Sequence, residues 1–334
     1  MNPKYLASIG VAAFLLSPQH VAAASRHKFV NFDVPNAKGT FPFSINGSNA
    51  VTGDYTAASS SHGFIRTADG TITTFDVPQS SSTYPLAINT SGEVTGFFYD
   101  SSSIAHGFFR TSDGTITTID VPGSSSTSAS ALNDNGDIVG GFRDSNGVGH
   151  AFLRKSSGEF VSFDPSGSLG TAATGINNDG LIMGYYCFTA CASESTGFVR
   201  SADGTITPFS VKGAARIVPS AVNSKGEIAG RYMDDWGASY GFVRTAKGKI
   251  VTFAECSFVP GLNDTGWAVG ASSTVNGGFH GCLRAPNGTI SSFDDPKASG
   301  NETSPNSINT ARYVTGWYAD AHDHYHGFIV QPRK

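Results

Sequence analysis

Residues 89–120 read NTSGEVTGFFYDSSSIAHGFFRTSDGTITTID, and this stretch decides the fold. An Asn-x-x-Gly turn, Asn89 to Gly92, leads through Gly96 into a run of aromatics. His106-Gly-Phe-Phe-Arg110 follows, then Asp113-Gly114, then Thr-Ile-Thr-Thr-Ile ending at Asp120. Short apolar and β-branched runs parted by Gly, Asn and Asp turns read as strands joined by hairpins. The pattern recurs along the chain. Asn46, Asn89, Asn133, Asn177, Asn223, Asn263 and Asn309 each follow Ile, Leu or Val. Seven positions later stand Gly53, Gly96, Gly140, Gly184, Gly230, Gly270 and Gly316. The asparagines are spaced 43, 44, 44, 46, 40 and 46 residues apart, so seven units fill the chain with no linker left over.

Each unit holds four strand signals, named here by their marks: an Asn strand, a glycine strand, a histidine strand and a threonine strand. Four strands at this period predict a propeller blade. The turns set the neighbours. Asn-x-x-Gly joins Asn to glycine strand, and Asp69-Gly70, Asp113-Gly114 or Asp203-Gly204 joins histidine to threonine strand. Asp-Gly predicts a two-residue hairpin with positive φ at both positions, which sets Gly63 opposite Asp76 and His62 diagonal to it. Asn49 and Arg312 replace the turn glycine once each; the left-handed backbone suits asparagine and strains arginine. The long Ser-rich links after the threonine strands, such as Pro122 to Ser130, read as crossings between blades. The fold prediction is an all-β, seven-bladed β-propeller of four-stranded blades. The lone N-terminal strand, Phe29 to Val34, closes the last blade beside His326 to Val330. An open solenoid is the alternative.

Composition agrees with a folded, extracellular chain. Charged residues are 14% and the formal net charge is -4, so no basic stripe invites nucleic acid. The 24 Phe and 11 Tyr exclude a disordered chain. Lys4, the apolar run Leu6 to Leu16 and Ala22-Ala23-Ala24 predict a signal peptide over residues 1–24, with an uncleaved anchor as the rival reading. Residues 25–334 then form one secreted or periplasmic domain, a monomer with no membrane segment after cleavage. Four cysteines suit an oxidising compartment. Of three pairings, Cys187 with Cys191 is local and leaves Cys256 with Cys282. A four-cysteine zinc site is the alternative, without the usual paired Cys-x-x-Cys spacing.

The turn Asn-x-x-Gly-x-x-x-Gly followed by His150-Ala-Phe-Leu153 resembles the HAF repeat of extracellular bacterial proteins. Other units carry His-Gly-Phe instead, as at His62 and His106. The resemblance covers residues 29 to 330 and implies secretion and a repeat fold, with no catalytic residue to carry over. Thr111-Ser-Asp-Gly114 is partly similar to an Asp box but lacks its final Trp, and reads as a turn.

Several residue sets invite a chemical reading. His62, His106, His150, His280 and His326 recur, and so do Asp33, Asp76, Asp120, Asp164 and Asp294. One His–Asp hydrogen bond per unit follows. Repetition argues for a structural clip rather than an acid–base pair. Arg66, Arg110, Arg154, Arg200, Arg244 and Arg284 end the histidine strands and read as solvated charges that do not converge. Asn133-Asp-Asn-Gly-Asp137 looks like a calcium loop, yet other units lack its carboxylates, so it reads as a turn. Gly237-Ala-Ser-Tyr-Gly241 matches a nucleophile elbow without the helix that motif needs. His322, His324 and His326, set on a strand, would share one face and could hold a divalent metal, the one cofactor suggested.

Strand parity puts both tight turns at one end of the ring and the long links with the glycine-to-histidine loops at the other. Variable loops over a rigid scaffold are where function resides. Trp236, Tyr240, Tyr318 and Tyr325 lie in the loops that break the repeat most. Three functions fit: a binding module for a glycan or protein through this loop face, a propeller hydrolase or lyase at the channel mouth, or a structural extracellular repeat protein without activity.

Overall fold

The computed structural model describes residues 28–189, 193–273, 278–300 and 302–331; the signal-peptide reading and Cys191 fall outside them. Every regular element among these residues is a β-strand. Ser82–Ile88, Val94–Tyr99, Ala105–Arg110 and Ile116–Ile119 pair antiparallel in that order, giving Asn, glycine, histidine and threonine strands side by side. The same quartet recurs from Gly39–Ile45 to Ile72–Phe75 and from Ser126–Leu132 to Phe160–Phe163. It recurs again from Gly170–Ile176 to Ile206–Phe209, from Ala214–Val222 to Ile250–Phe253, and from Phe258–Leu262 to Ile290–Phe293. After Thr303–Ile308, Val314–Ala319 and Tyr325–Gln331, the fourth strand is N-terminal: Lys28–Phe32 pairs antiparallel with Tyr325–Gln331.

Tight turns share one geometry. In the Asp69-Gly70 turn, Gly70 N donates to Thr67 O and Thr67 N to Thr71 O, with φ 97° at Gly70 only. This is a three-residue loop, a type I turn closed by a left-handed glycine. It corrects the two-residue reading and moves the register by one. Gly63 faces Phe75, so His62 stands directly opposite Asp76. The Asn turns are built alike, and their side chains cap them. Asn133 Oδ1 accepts from Asn135 N at 3.0 Å and Asp137 N at 2.9 Å. Asn49 (φ 62°) and Arg312 (φ 66°) take the left-handed position without glycine; the Arg312 guanidinium lies 5.3 Å over the Trp267 ring, which offsets part of that strain.

The core is divided among the junctions between quartets. Phe64, Phe108, Phe152, Phe198, Phe242 and Phe328, all from histidine strands, are fully buried. Phe108 packs with Ile88, Val94 and with Val77, which follows the preceding threonine strand. At the sixth position cysteines replace this pair. Cys282 takes the phenylalanine's place, and Cys256 reaches it from the preceding link in a disulfide with Cα atoms 5.8 Å apart. Cys187 is also disulfide-bonded.

The recurring arginines are not solvated, which corrects the sequence reading. Five of the six stack on the threonine-strand phenylalanine of the quartet before them; Arg154 does not, because Ile119 stands in that place. Arg66 lies over Phe32 at 4.9 Å, Arg110 over Phe75 at 5.0 Å and Arg200 over Phe163 at 4.7 Å. Arg244 over Phe209 at 5.1 Å and Arg284 over Phe253 at 5.2 Å continue the series. An aromatic face lets the long side chain bury its stem while the cation meets the ring's negative quadrupole.

Amide bonds link the Asn strands to one another. Asn46 Nδ2 donates to Asn89 O, and the same bond runs from Asn89 to Asn133, Asn133 to Asn177, Asn177 to Asn223, Asn223 to Asn263 and Asn263 to Asn309. Asn309 Nδ2 then donates to Asn46 O at 2.9 Å, and the chain of bonds returns to its start. Each Asn strand also contains a bulge two residues upstream of its aliphatic-Asn pair, as between Pro85 and Ala87.

Candidate functional site

Repeated residues build the scaffold, so the register position where the units differ is where specificity can reside. That position immediately follows the recurring glycine: Asp54, Phe97, Gly141, Tyr185, Arg231, Ala271 and Trp317. Across the ladder it faces Phe41, Tyr84, Ser128, Ala172, Val218, Phe258 and Ser304. Antiparallel order places these pairs toward the loop end of the two strands nearest the asparagine ring. The positions after the glycine are not legible as a repeat, because no residue type recurs at them. The usable signal was a fixed offset from glycine at which residue type changes with every unit.

Two aromatic clusters stand on this register. Tyr84 stacks on Phe97 with centroids 4.9 Å apart, and Tyr99 meets both edge-on at 6.0 and 5.6 Å. Phe41, Trp317 and Tyr325 meet at 6.1, 5.2 and 5.3 Å across the junction of last and first quartets. All six rings are half-buried. The second cluster borders a concavity of about 810 Å³ lined by Asp33, Lys38, Phe41, Thr56, His324 and Tyr325, among others. Lys38 Nζ is held there by Ala58 O at 3.0 Å. An apolar floor with a few polar rim groups is the usual make-up of a small-ligand site.

Asp54 is the one carboxylate of the variable register. It is 5% exposed. Burial pushes its carboxyl up to about 6, against the lowering effect of a hydrogen bond with Ser61. Between the ordinary value of 3.8 and about 6, the folded chain keeps a proton that the unfolded chain releases. Stability therefore falls as pH rises through that window, by up to about 3 kcal/mol. Asp54→Asn is expected to exceed the wild type in stability at neutral pH by up to that amount, and to equal it near pH ~4. Urea denaturation at both pH values checks this. Equal stabilities at neutral pH would mean that the carboxylate is solvated.

The sequence-derived candidates separate. Tyr325 joins the seam cluster. Trp236 is 92% exposed at a hairpin tip, apart from it. Tyr240 stacks on Tyr232 at 5.1 Å and donates its hydroxyl to Asp234 at 3.3 Å. Tyr318 is buried, stacked on His326 at 5.0 Å, and offers no loop surface. His322 and His324 do not share a strand face with His326. They lie in the turn Asp320 to His324, where Asp320 Oδ1 accepts from both their backbone amides at 2.7 and 3.0 Å. Those amides hold Asp320 down to about 2. No group of three or more His, Cys, Asp or Glu among the described residues is arranged to hold a metal ion.

The predicted His–Asp bonds form wherever both residues are present. Nδ1–carboxylate distances are 3.0 Å for His62–Asp76, 2.9 Å for His106–Asp120, 2.7 Å for His150–Asp164, 2.8 Å for His280–Asp294 and 3.0 Å for His326–Asp33. A second carboxylate escaped the sequence reading. Asp100, Asp144 and Asp320 cap their hairpins and also approach Nε2 of His106, His150 and His326 at 3.6, 3.7 and 3.4 Å. Each imidazole lies between two acids and against a ring, as His106 does on Phe98 at 5.2 Å. Repetition makes this a clip of the scaffold. In the calcium-like loop, Asp137 Oδ1 accepts from Ser156 N at 3.0 Å and Asp134 Oδ1 from Thr90 N at 2.8 Å, so both carboxylates serve the fold. Gly237 to Gly241 runs from a hairpin into the strand Ser239–Arg244, with no helix.

No family model matches the chain, and no curated protein matches it significantly. Solved structures do. Virginiamycin B lyase from Staphylococcus aureus superposes with TM-score 0.61 at 16% identity, over 92% of this chain and 100% of that one. The β-propeller domain of the Trilobed protease from Pyrococcus furiosus gives 0.61 at 10% identity, over 88% and 97%. An oligogalacturonate lyase in complex with manganese gives 0.60 at 8%, over 92% and 97%. At such identities the likeness extends to architecture alone: the chain folds as a β-propeller.

Proposed function

We propose that the chain is a secreted, monomeric, seven-bladed β-propeller of the HAF-repeat kind that binds an extracellular glycan on its loop face. The quartets, the N-terminal strand seated in the last of them, and the asparagine bonds returning to Asn46 support seven blades and a closed ring. The Cys256–Cys282 disulfide supports an oxidising compartment, reached through the signal peptide at residues 1–24. The observation that carries the glycan reading is the Phe41–Trp317–Tyr325 cluster beside Asp33, Lys38 and His324. Sugar rings lay their C–H faces on aromatic rings, and their hydroxyls need charged or amide partners at the rim. Trp236 extends the same face.

An array of bacterial and plant polysaccharides tests the reading. At least one glycan is expected to bind, with Tyr325→Ala lowering its affinity at least tenfold, the cost of about 1.4 kcal/mol. Silence across the array, with capture of a protein ligand instead, would replace the glycan. A hydrolase or lyase is the second reading, favoured by Asp54, a buried carboxyl that ionises at about 6 and so suits general acid–base work near neutral pH. Depolymerisation of the bound glycan, abolished by Asp54→Asn, would establish it.

A further inference from the structure

Arg231 is the one cation of the variable register, and Arg216 is its basic neighbour. Arg231 faces Val218, and Arg216 faces Met233, so the two arginines are diagonal neighbours on one face of the sheet. Both are half-buried. The Arg231 guanidinium lies 5.3 Å over the ring of Phe258, which belongs to the next quartet. Burial first, and then the Arg216 charge, pull Arg231 below the ordinary arginine value.

Apart from the Phe258 ring, no protein group compensates this repulsion among the described residues. Nε of both residues is buried without an acceptor. Nε is also bare in the stacked Arg66, Arg110, Arg200 and Arg244, so the difference lies in the rest of the guanidinium, and Arg200 has the opposite charge of Asp203 nearby. Arg66, Arg110, Arg244 and Arg284 donate Nη1 to a carbonyl of the following residue, and Asp69 or Asp113 lies near the first two. Among the described residues, no carbonyl or carboxylate accepts from the side chain of Arg216 or Arg231, and neither makes a salt bridge. Two unpaired cations side by side in a partly dry site are costly unless an anion sits between them. Paired guanidinium forks match the planar, two-oxygen edge of a carboxylate.

We propose that Arg216 and Arg231 bind a carboxylate of the ligand, and therefore that the glycan is acidic, a uronate-bearing chain. The inference rests on the glycan reading. The Phe258 ring beneath Arg231 fixes one guanidinium plane in advance, and the carboxylate accepts from the outer Nη groups of both, since the Nε atoms are out of reach of a ligand.

Calorimetry with uronate oligosaccharides and their carboxyl-reduced counterparts, which keep the same backbone without the charge, tests it. The wild type is expected to bind the acidic form at least tenfold more tightly, with an advantage that shrinks as salt rises. The advantage is expected to vanish in the Arg216→Gln, Arg231→Gln double variant. Equal affinity of the wild type for both forms, or a preference that survives in the double variant, overturns the arginine assignment and leaves glycan binding standing. Failure of both forms to bind overturns the two together. The wild-type comparison needs no variant, so it decides even if the double variant does not fold.

Discussion

Gly140→Ala is expected to prevent folding, at a cost of about 4 kcal/mol or more. A Cβ added there would sit 2.0 Å from the Ser128 carbonyl oxygen. That oxygen belongs to backbone on both sides of a rigid ladder and cannot swing away as a side chain can. The cause is the bulge in the facing Asn strand, whose register shifts between Ala129 and Ala131 and which brings Ser128 O over the glycine Cα. Every unit has the same close approach, down to 1.8 Å between Gly270 and Phe258 O. Gly149→Ala is the matched control, because its Cβ would meet nothing nearer than Gly170 Cα at 3.9 Å. Soluble yield and urea denaturation of the two variants check the pair. A Gly140→Ala protein within about 1 kcal/mol of the wild type would mean that the bulge can flatten.

Asn177→Ala is expected to cost roughly 2–5 kcal/mol, since one buried carbonyl loses a partner worth about 1–3 kcal/mol and two partly buried amides lose about 0.5–1 kcal/mol each. Its Nδ2 serves Asn223 O at 3.1 Å, and its Oδ1 serves the amides of Asp179 at 3.1 Å and Leu181 at 2.9 Å. Asn177→Asp separates the two duties. It keeps the acceptor for both amides but sets a carboxylate against the Asn223 carbonyl. That variant is expected to lie between alanine and wild type at neutral pH. It should recover in acid, where the protonated carboxyl donates again. Denaturant midpoints across pH measure this. An alanine variant as stable as the wild type would mean that water replaces the side chain at no cost.

These two positions also mark how far the sequence could be read. The asparagine and the glycine are legible as a repeat because each is set by backbone demands that no other residue meets. The strand order followed from turn chemistry alone. The hairpin register did not, because Asp-Gly serves two loop lengths, and Thr67 and Thr71 close the longer one. The arginines were misread because a charge at a strand end says nothing about the ring of the neighbouring quartet over which it lies. Of the candidate site, Tyr325 was legible as an aromatic in an irregular loop. Phe41, Trp317, Asp54 and Arg231 were not, since register across the ladder, rather than similarity along the chain, brings them together.

The pairing of Lys28–Phe32 with Tyr325–Gln331 has a temporal consequence. A chain emerging from the ribosome presents the first of these segments almost three hundred residues before the second. Until Tyr325–Gln331 is made, Phe29 and Phe32 have no strand to join, and Phe29 cannot be held between the rings of Phe293 and Phe328. Contacts so distant along the chain form late. The earlier strand must wait for the later one, and the quartet they share stays loose and open to proteolysis for as long as the wait lasts.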